Sequence, residues 1–238
     1  MIKENSLFGW LAKKLTKLLY KHADVVLTVT HGLCLEIEKY HEKKPHLVMN
    51  GYDHEVFYPG KPENKFPRYT LIFHGTLGKL QNIETLLNLA SELEKDDLDI
   101  LVAGEGPKVS YILSANRKNI RYLGNMPYSE IPLLLRKCHL GLSFRTDDKI
   151  GKEAFPVKVF EYVGSGIPVI MSPPGEAGKI IMSQELGKEF QNSQIKEMAE
   201  EVRRLKHIGE TSNRINLEFS RAKQAMKIHS LIGQTRTL

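Results

Sequence analysis

The chain alternates short apolar runs with segments whose apolar residues recur every three or four positions. Residues 69–74 form a β-rich run that ends at a glycine, and apolar positions then recur at helical spacing from Ile83 to Leu93. This combination predicts a strand followed by an amphipathic helix. The cycle repeats, and it predicts strands at 98–103, 119–123, 139–144 and 167–170, with helices near 108–116, 129–137 and 157–164 and from Glu176 onward.

Strands at this spacing, joined by helices, are typical of right-handed crossovers and a parallel sheet covered on both faces. We therefore predict a doubly wound α/β domain, with a domain division at residues 1–60, 61–210 and 211–238.

The first sixty residues lie outside the cycle and predict no sheet of their own. Their pattern indicates helices at 7–22 and 33–40 and strands at 25–29 and 46–49. Two further helices, near 194–207 and 213–232, are predicted to close the chain.

Composition narrows the class of protein. The 238 residues are 41% hydrophobic and 26% charged, with 34 Lys and Arg against 28 Asp and Glu. These values exclude wholesale disorder and a small disulfide scaffold. The two cysteines, Cys34 and Cys138, are far apart and apolar in setting, which favours a reducing cytoplasm. The positive excess is spread along the chain, so nucleic acid is not a predicted partner.

Common cofactor motifs are absent from the sequence. Gly104 and Gly106 follow a strand, but the third glycine of a dinucleotide fingerprint would fall on Val109. No phosphate-loop motif occurs, and no histidine has metal-ligand spacing to a cysteine or carboxylate. We predict no cofactor and no metal.

Loops at the carboxyl ends of parallel strands are where ligands bind in such folds. Gly75 and Gly78 follow the first predicted strand of the sheet, and Gly104 and Gly106 follow the second. Glycines let backbone amides approach a ligand, and a helix N-terminus favours an anion. The same glycines also suit tight turns that bind nothing.

A third loop and helix carry charged residues from Glu153 to Glu161. Pro156 suits a first helical turn, which places Glu153 in the loop before the helix and Lys158 and Glu161 on one helix face. This set can hold a phosphate and accept hydroxyl hydrogen bonds at two points. The alternative is a solvated lysine–glutamate pair. The apolar neighbours of Glu161 favour a partly buried carboxylate with a ligand or a fixed partner.

The order of these motifs resembles the GT-B glycosyltransferases of the large retaining group 4. The resemblance rests on Asn50-Gly-Tyr-Asp53 with Phe57 and Pro59, a strand ending at Gly75, Gly104-Glu-Gly-Pro107, Asn119-Ile-Arg-Tyr-Leu-Gly124, Glu153-x7-Glu161 and Gly166-Ile-Pro-Val169. It implies a Rossmann-like, C-terminal domain that binds a UDP- or GDP-linked sugar.

The resemblance also implies roles for individual residues. Glu161 would bind the ribose hydroxyls, the backbone near Arg121 to Leu123 would meet the base, and Lys158 would lie near the diphosphate. It implies catalytic roles for Glu153 and Lys158. The implied donor-binding residues are Gly75, Thr76, Gly78, Lys79, Gly104, Arg121, Tyr122, Leu123, Arg145, Ala154, Phe155, Pro156, Val157 and Glu161.

The chain departs from this family in two respects. Thr76 and Asn82 occupy places where many relatives carry an arginine and a glycine, which leaves Lys79 as the candidate cation of that loop. Phosphate neutralisation then shifts to Lys158, Arg145 and the helix amides. Residues 1 to about 60 resemble only the last part of an acceptor-side domain and a linker, so the acceptor half is expected to be missing or separately encoded.

The leading expectation is a donor-binding domain that transfers a sugar, with retention, to a glycan or lipid-linked acceptor. Two alternatives remain open: a nucleotide-sugar epimerase, and a non-catalytic nucleotide-sugar-binding subunit or relic. The helix at 7–22 has an apolar stripe beside four lysines. It is expected to pack against an acceptor domain or to lie on the inner face of the membrane.

Overall fold

The computed structural model describes residues 6–39, 44–208 and 217–235. It forms two compact units: Asn50–Arg221, and Met1–Met49 together with Ala222–Leu238. Within the described ranges, no helix is both long and apolar enough to cross a bilayer.

The smaller unit begins with helix α1 (Leu7–His22), strand β1 (Leu27–Thr28), helix α2 (His31–Glu38) and strand β2 (His46–Leu47). The prediction that this region has no sheet of its own is wrong, because β1 and β2 pair in parallel with Leu27 opposite His46. Each strand has only two residues, so the sheet covers very little apolar surface.

The larger unit contains six strands and the helices between them. The strands are β3 (Tyr69–His74), β4 (Leu98–Ala103), β5 (Ile120–Gly124), β6 (Leu140–Phe144), β7 (Val169–Ser172) and β8 (Gly187–Glu189). The helices are α3 (Ile83–Glu92), α4 (Val109–Ala115), α5 (Ile131–Leu135), α6 (Lys149–Glu153), α7 (Val157–Gly164), α8 (Glu176–Ser183) and α9 (Ile195–Ile208). Helix α10 (Arg221–Thr235) follows, after a 3₁₀ turn at Leu217–Phe219.

All six strands are parallel and lie in the order β5-β4-β3-β6-β7-β8. This is a doubly wound sheet whose strand order reverses between β3 and β6. Every residue of β3, β4 and β6 is buried, as expected for strands covered by helices on both faces. The prediction of a doubly wound α/β domain is confirmed.

Some elements differ from the predicted pattern for local reasons. The strand predicted at 167–170 lies at Val169–Ser172, because Pro168 has no amide hydrogen to give the ladder. The short elements α6 and β8 were not predicted, since five and three residues are too few for a periodicity. The start of the helix predicted at 213–232, and the break before it, fall on residues 209–216, outside the described ranges.

Two backbone loops meet at the carboxyl edge of the sheet. Gly75 follows β3 with φ +109°, and Gly104 follows β4 with φ +137°. A Cβ on Gly104 would lie 2.0 Å from the Gly75 carbonyl oxygen. Both the backbone conformation and the close approach therefore require glycine at 104.

We expect Gly104→Ala to lower the free energy of unfolding by at least about 2 kcal/mol, because it adds both strain and a backbone clash. Gly78→Ala in the neighbouring loop is the control, since its Cβ would meet nothing closer than the Thr76 methyl at 3.5 Å. Urea unfolding of the two variants measures the difference. Equal losses for both would show that the Gly75–Gly104 approach does not constrain the fold.

Candidate functional site

A cavity of about 790 Å³ opens at the carboxyl edge of the sheet, where β3 and β6 lie side by side. This is the reversal point of the strand order, which is where ligands bind in doubly wound sheets. The lining residues come from the loops after β3, β4, β5 and β6 and from the first turns of α7. They include His74, Gly75, Thr76, Gln81, Gly104, Gly106, Asn125, Met126, Tyr128, Arg145, Pro156, Val157, Lys158 and Glu161.

Helix α7 carries two charged side chains into the wall of this cavity. Pro156 is its N-cap, and no side chain caps the first turn of the helix. The Asn50 amide Nδ2 donates to the Phe155 carbonyl at 2.8 Å and fixes the entry to the helix. Lys158 and Glu161 are 7% and 4% exposed, which excludes the solvated surface pair.

The ammonium of Lys158 lies deep in the wall. Its Nζ donates to Gln81 Oε1 at 3.1 Å and lies 3.8 Å from the centroid of the Phe73 ring. Burial and, to a lesser extent, repulsion from Arg145 lower the pKa of Lys158 to about 7, with Glu161 acting against both. An additional anion in the cavity would favour the charged form.

Glu161 has one oxygen fixed by a neighbouring side chain. The Tyr128 hydroxyl donates to Oε1 at 3.1 Å, while His74 Nε2 lies 3.4 Å from Oε2. Burial raises the pKa of Glu161, and the Tyr128 hydrogen bond acts in the opposite direction. Burial and the nearby Lys158 charge lower the pKa of His74 to about 3, so the contact joins a neutral ring to a carboxyl group.

Gln81 ties together three of the loops that line the cavity. Its carbonyl accepts from Lys108 Nζ at 2.6 Å, its side chain holds Lys158, and its backbone pairs with that of Arg145. Asn82, which the resemblance places at a glycine position, is the N-cap of α3 and accepts from the Thr85 amide at 3.1 Å. The wall therefore presents two cations, Lys158 and Arg145, beside the carboxyl group of Glu161.

Half of the predicted site residues line the cavity. These are Gly75, Thr76, Gly104, Arg145, Pro156, Val157, Lys158 and Glu161. The other predicted residues do not contribute to its lining: Gly78, Lys79, Arg121, Tyr122, Leu123, Glu153, Ala154 and Phe155.

Two of the residues outside the cavity have other contacts. Glu153 ends helix α6 rather than lying in a loop, and its Oε1 is 4.0 Å from Lys149 Nζ. The expectation of a loop position is corrected here, because Asp148 caps a short helix that runs through Glu153. The Arg121 guanidinium lies 3.1 Å from Asp99. Ligand roles for Glu153 and Arg121 stay predictions.

Three unpredicted side chains in the wall contact Lys158 or Glu161: His74, Gln81 and Tyr128. His74 is the last residue of β3, and its position before Gly75 could have drawn attention to it. Gln81 and Tyr128 lie in loops without a motif, and their contacts with α7 span 77 and 33 residues. Only the tertiary structure brings them to the site.

The amino-acid sequence matches the family described as Glycosyl transferases group 1 over residues 58–218. That match covers more than half of the chain. The chain belongs to this family. A search of curated proteins finds no sequence match.

Solved structures share the fold at low sequence identity. Sucrose-phosphate synthase from Thermosynechococcus elongatus superposes with a TM-score of 0.76 at 15% identity, over 100% of this chain and 64% of that one. Anabaena Alr3699/HepE in complex with UDP gives 0.77 at 13%, over 96% and 69%. The pneumococcal O-GlcNAc transferase GtfA in complex with UDP and GlcNAc gives 0.68 at 20%, over 90% and 45%.

These solved structures share the Rossmann-like sheet of this chain, and the likeness at such identities is one of fold. The chain spans less than two thirds of the sucrose-phosphate synthase chain and less than half of the GtfA chain. The remaining length of those proteins has no counterpart here.

Buried Lys158 makes folding depend on pH in a defined direction. The folded chain releases this proton near pH 7, whereas the unfolded chain keeps it to about 10.5. Because the unfolded state binds more protons between these values, this group's contribution to stability rises with pH across that window. We expect Lys158→Met to have a higher free energy of unfolding than the parent chain at pH 6. This gap in the free energy of unfolding should narrow by about pH 9.5.

Urea unfolding at several pH values measures that gap. Lys152→Met is the matched control, because Lys152 pairs with Asp147 on the surface and is half exposed. Its difference from the parent should stay constant over the same range. A constant gap for Lys158→Met would mean that its ammonium is not buried in solution.

Proposed function

We propose that this cavity binds a nucleotide-diphosphate sugar and that the chain is the donor-binding, C-terminal half of a retaining GT-B glycosyltransferase. The observation that carries the proposal is the pair on α7. Buried Lys158 and buried Glu161 stand side by side in the wall of the cavity, at the reversal point of the sheet. A cation next to a hydrogen-bond acceptor matches a ligand that joins phosphates to a polyhydroxyl group.

The diphosphate is assigned to the Lys158 side of the cavity. Arg145 lines the same wall, and the uncapped first turn of α7 adds free amides and the positive end of a helix dipole. Such groups hold the diphosphate and stabilise the charge that it gains as the sugar departs. Lys158 thus supplies electrostatic stabilisation in this proposal.

The ribose is assigned to Glu161. Glu161 lines the cavity, and its Oε2 has no hydrogen bond among the described residues, whereas Oε1 is held by Tyr128. A carboxyl group accepts from two adjacent hydroxyls without competing for the phosphates. UDP is the first nucleotide to test, because it is the ligand in the HepE and GtfA complexes.

The acceptor is assigned to a second half of the fold, in a separate chain or elsewhere in a longer protein. The Asn50–Arg221 unit holds the whole donor cavity. Among its described residues, the smaller unit has only the two-stranded sheet β1–β2, which is too small to form a second Rossmann-like layer. The donor alone is therefore expected to bind without sugar transfer. Epimerisation of the donor by this chain alone would instead identify an epimerase.

We expect Glu161→Ala to weaken binding of UDP by about tenfold or more, because hydrogen bonds to a charged group contribute roughly 1.5–3 kcal/mol each. Deoxyribose analogues should lose less affinity on this substitution, since part of the contact is already missing. Calorimetric titration of the full chain with UDP, GDP and ADP and with the matching 2′-deoxy diphosphates measures both effects.

Glu153→Ala is the matched control, because this carboxylate belongs to the same E-x7-E element but lies outside the cavity lining. It should leave the affinity for the free nucleotide unchanged. Glu161→Gln repeats the test with the side-chain volume kept. Equal losses for ribose and deoxyribose nucleotides would remove the ribose assignment, and absence of binding of any nucleotide would remove the proposed function.

The exposed apolar face of helix α1 supports the proposal that a partner surface covers it. Six large apolar side chains on one face are more than half exposed: Leu7, Phe8, Leu11, Leu15, Leu18 and Leu19. Helices of α/β folds bury such a face against a sheet, and the sheet β1–β2 is too small to cover it. The acceptor-side half is therefore the proposed cover, and a membrane surface is the alternative.

We expect the chain to remain in the supernatant when it is sedimented with vesicles of neutral or of anionic lipid at low salt. The physical reason is that the apolar face matches a protein layer, and the lysines beside it serve solubility. The variant Leu11→Glu with Leu15→Glu is the control that tests this face. Pelleting with anionic vesicles that salt and this variant abolish would show a peripheral membrane helix instead.

A further inference from the structure

His74 brings an unpaired ring nitrogen to the cavity. The residue ends strand β3, is 6% exposed and lies in the cavity lining. Its Nε2 is buried and has no hydrogen-bond partner among the described residues. A buried polar atom without a partner costs free energy, so such an atom facing a cavity points to a ligand group.

The surroundings of the ring fix it in place without using this nitrogen. The ring packs edge-on against Tyr162, with centroids 5.0 Å apart and planes at 90°. The Tyr162 hydroxyl accepts from the His74 backbone amide at 3.2 Å. Glu161 Oε2 lies 3.4 Å from Nε2 and does not form a hydrogen bond with it.

The ring is neutral throughout the physiological range. Burial and the charge of Lys158 lower the pKa of His74 to about 3. A neutral imidazole has one N–H donor and one acceptor nitrogen. In the tautomer protonated at Nε2, the donor lies beside an acceptor-only carboxylate oxygen.

A hydroxyl group of a ligand can bridge these two atoms. Its hydrogen can go to Glu161 Oε2, and its oxygen can accept from His74 Nε2–H, because a hydroxyl is both donor and acceptor. The 3.4 Å separation of the two atoms lets one oxygen lie at hydrogen-bond distance, about 2.8 Å, from both. A carboxylate alone can only accept the hydrogen of a hydroxyl, whereas this pair also donates a hydrogen bond to the hydroxyl oxygen.

We propose that His74 donates its Nε2–H to the oxygen of the ribose hydroxyl whose hydrogen goes to Glu161, which makes His74 a specificity-determining contact for ribonucleotides. The inference rests on the proposed function, since it deepens the assignment of the ribose to Glu161. Tyr128 is a positioning residue in this arrangement, because it holds Oε1 and leaves Oε2 to the hydroxyl.

The test compares His74→Phe with the parent chain by calorimetric titration with UDP, 2′-deoxy-UDP and 3′-deoxy-UDP. Phenylalanine keeps a ring against Tyr162 and removes both nitrogens. We expect UDP affinity to fall about tenfold, as for the loss of one buried hydrogen bond. The affinity for one of the two deoxy analogues should stay unchanged, since it lacks the hydroxyl that His74 contacts.

Two further variants separate a contact from a packing effect. His74→Gln retains an amide donor and should recover part of the preference for UDP over the deoxy analogue. His139→Phe is the matched control. His139 is a second neutral histidine, with a pKa lowered to about 4, and it precedes β6 at the edge of the sheet opposite to the cavity. The substitution is expected to lower stability without changing the preference.

The outcomes distinguish this inference from the function on which it rests. Equal losses for UDP and both deoxy analogues in His74→Phe would overturn the His74 contact. If Glu161→Ala still lowers the ribose preference in that case, the proposed function stands. If neither substitution changes the preference, the ribose assignment fails as well. Should His74→Phe not fold, an unchanged ribose preference in His74→Ala would overturn the contact.

Discussion

The burial of two charged groups on one short helix is the constraint on which the site depends. Removing a lysine and a glutamate from water costs several kcal/mol per group unless other contacts offset it. Here Gln81 and the Phe73 ring hold Lys158, and Tyr128 holds Glu161. These contacts offset part of the desolvation, and Glu161 Oε2 has no hydrogen bond among the described residues. The proposed donor would supply the remaining contacts of this pair.

The glycine loops explain why the cavity stays open above this pair. Gly75 and Gly104 bring two backbone segments so close that a Cβ on Gly104 would clash with a carbonyl oxygen. No side chain at these positions extends over the edge of the sheet. The loop after β3 carries Thr76 where a cation was expected. Gln81, in the same loop, accepts a hydrogen bond from the Lys158 ammonium. The positive charge of the site therefore comes from helix α7 and Arg145.

The sequence predicted the elements that have a clear hydrophobic pattern over five or more consecutive residues. Strands 69–74 and 98–103 and helix 157–164 have the predicted bounds, because full burial or a strong amphipathic period marks them. Lys158 and Glu161 were predicted for the same reason: their helical spacing and apolar neighbours are visible in the sequence.

His74, Gln81 and Tyr128 could not be assigned in this way, because their roles depend on contacts between distant loops. Glu153 shows the converse, since an evident motif residue lies at the end of a helix outside the cavity lining.

The motif around Asn50 acts on the site through α7 rather than through a ligand. Asn50 binds the carbonyl before the helix, and the ring of Tyr52 packs so closely on Gly164 that a Cβ there would lie 2.4 Å away. Phe57 packs edge-on against Tyr128, which in turn holds Glu161. These contacts fix the start and the end of the helix and the side-chain carboxyl group of Glu161. The separation between Lys158 and Glu161, and hence the spacing at which the cavity presents a cation and a hydroxyl acceptor, depends on residues that lie outside it.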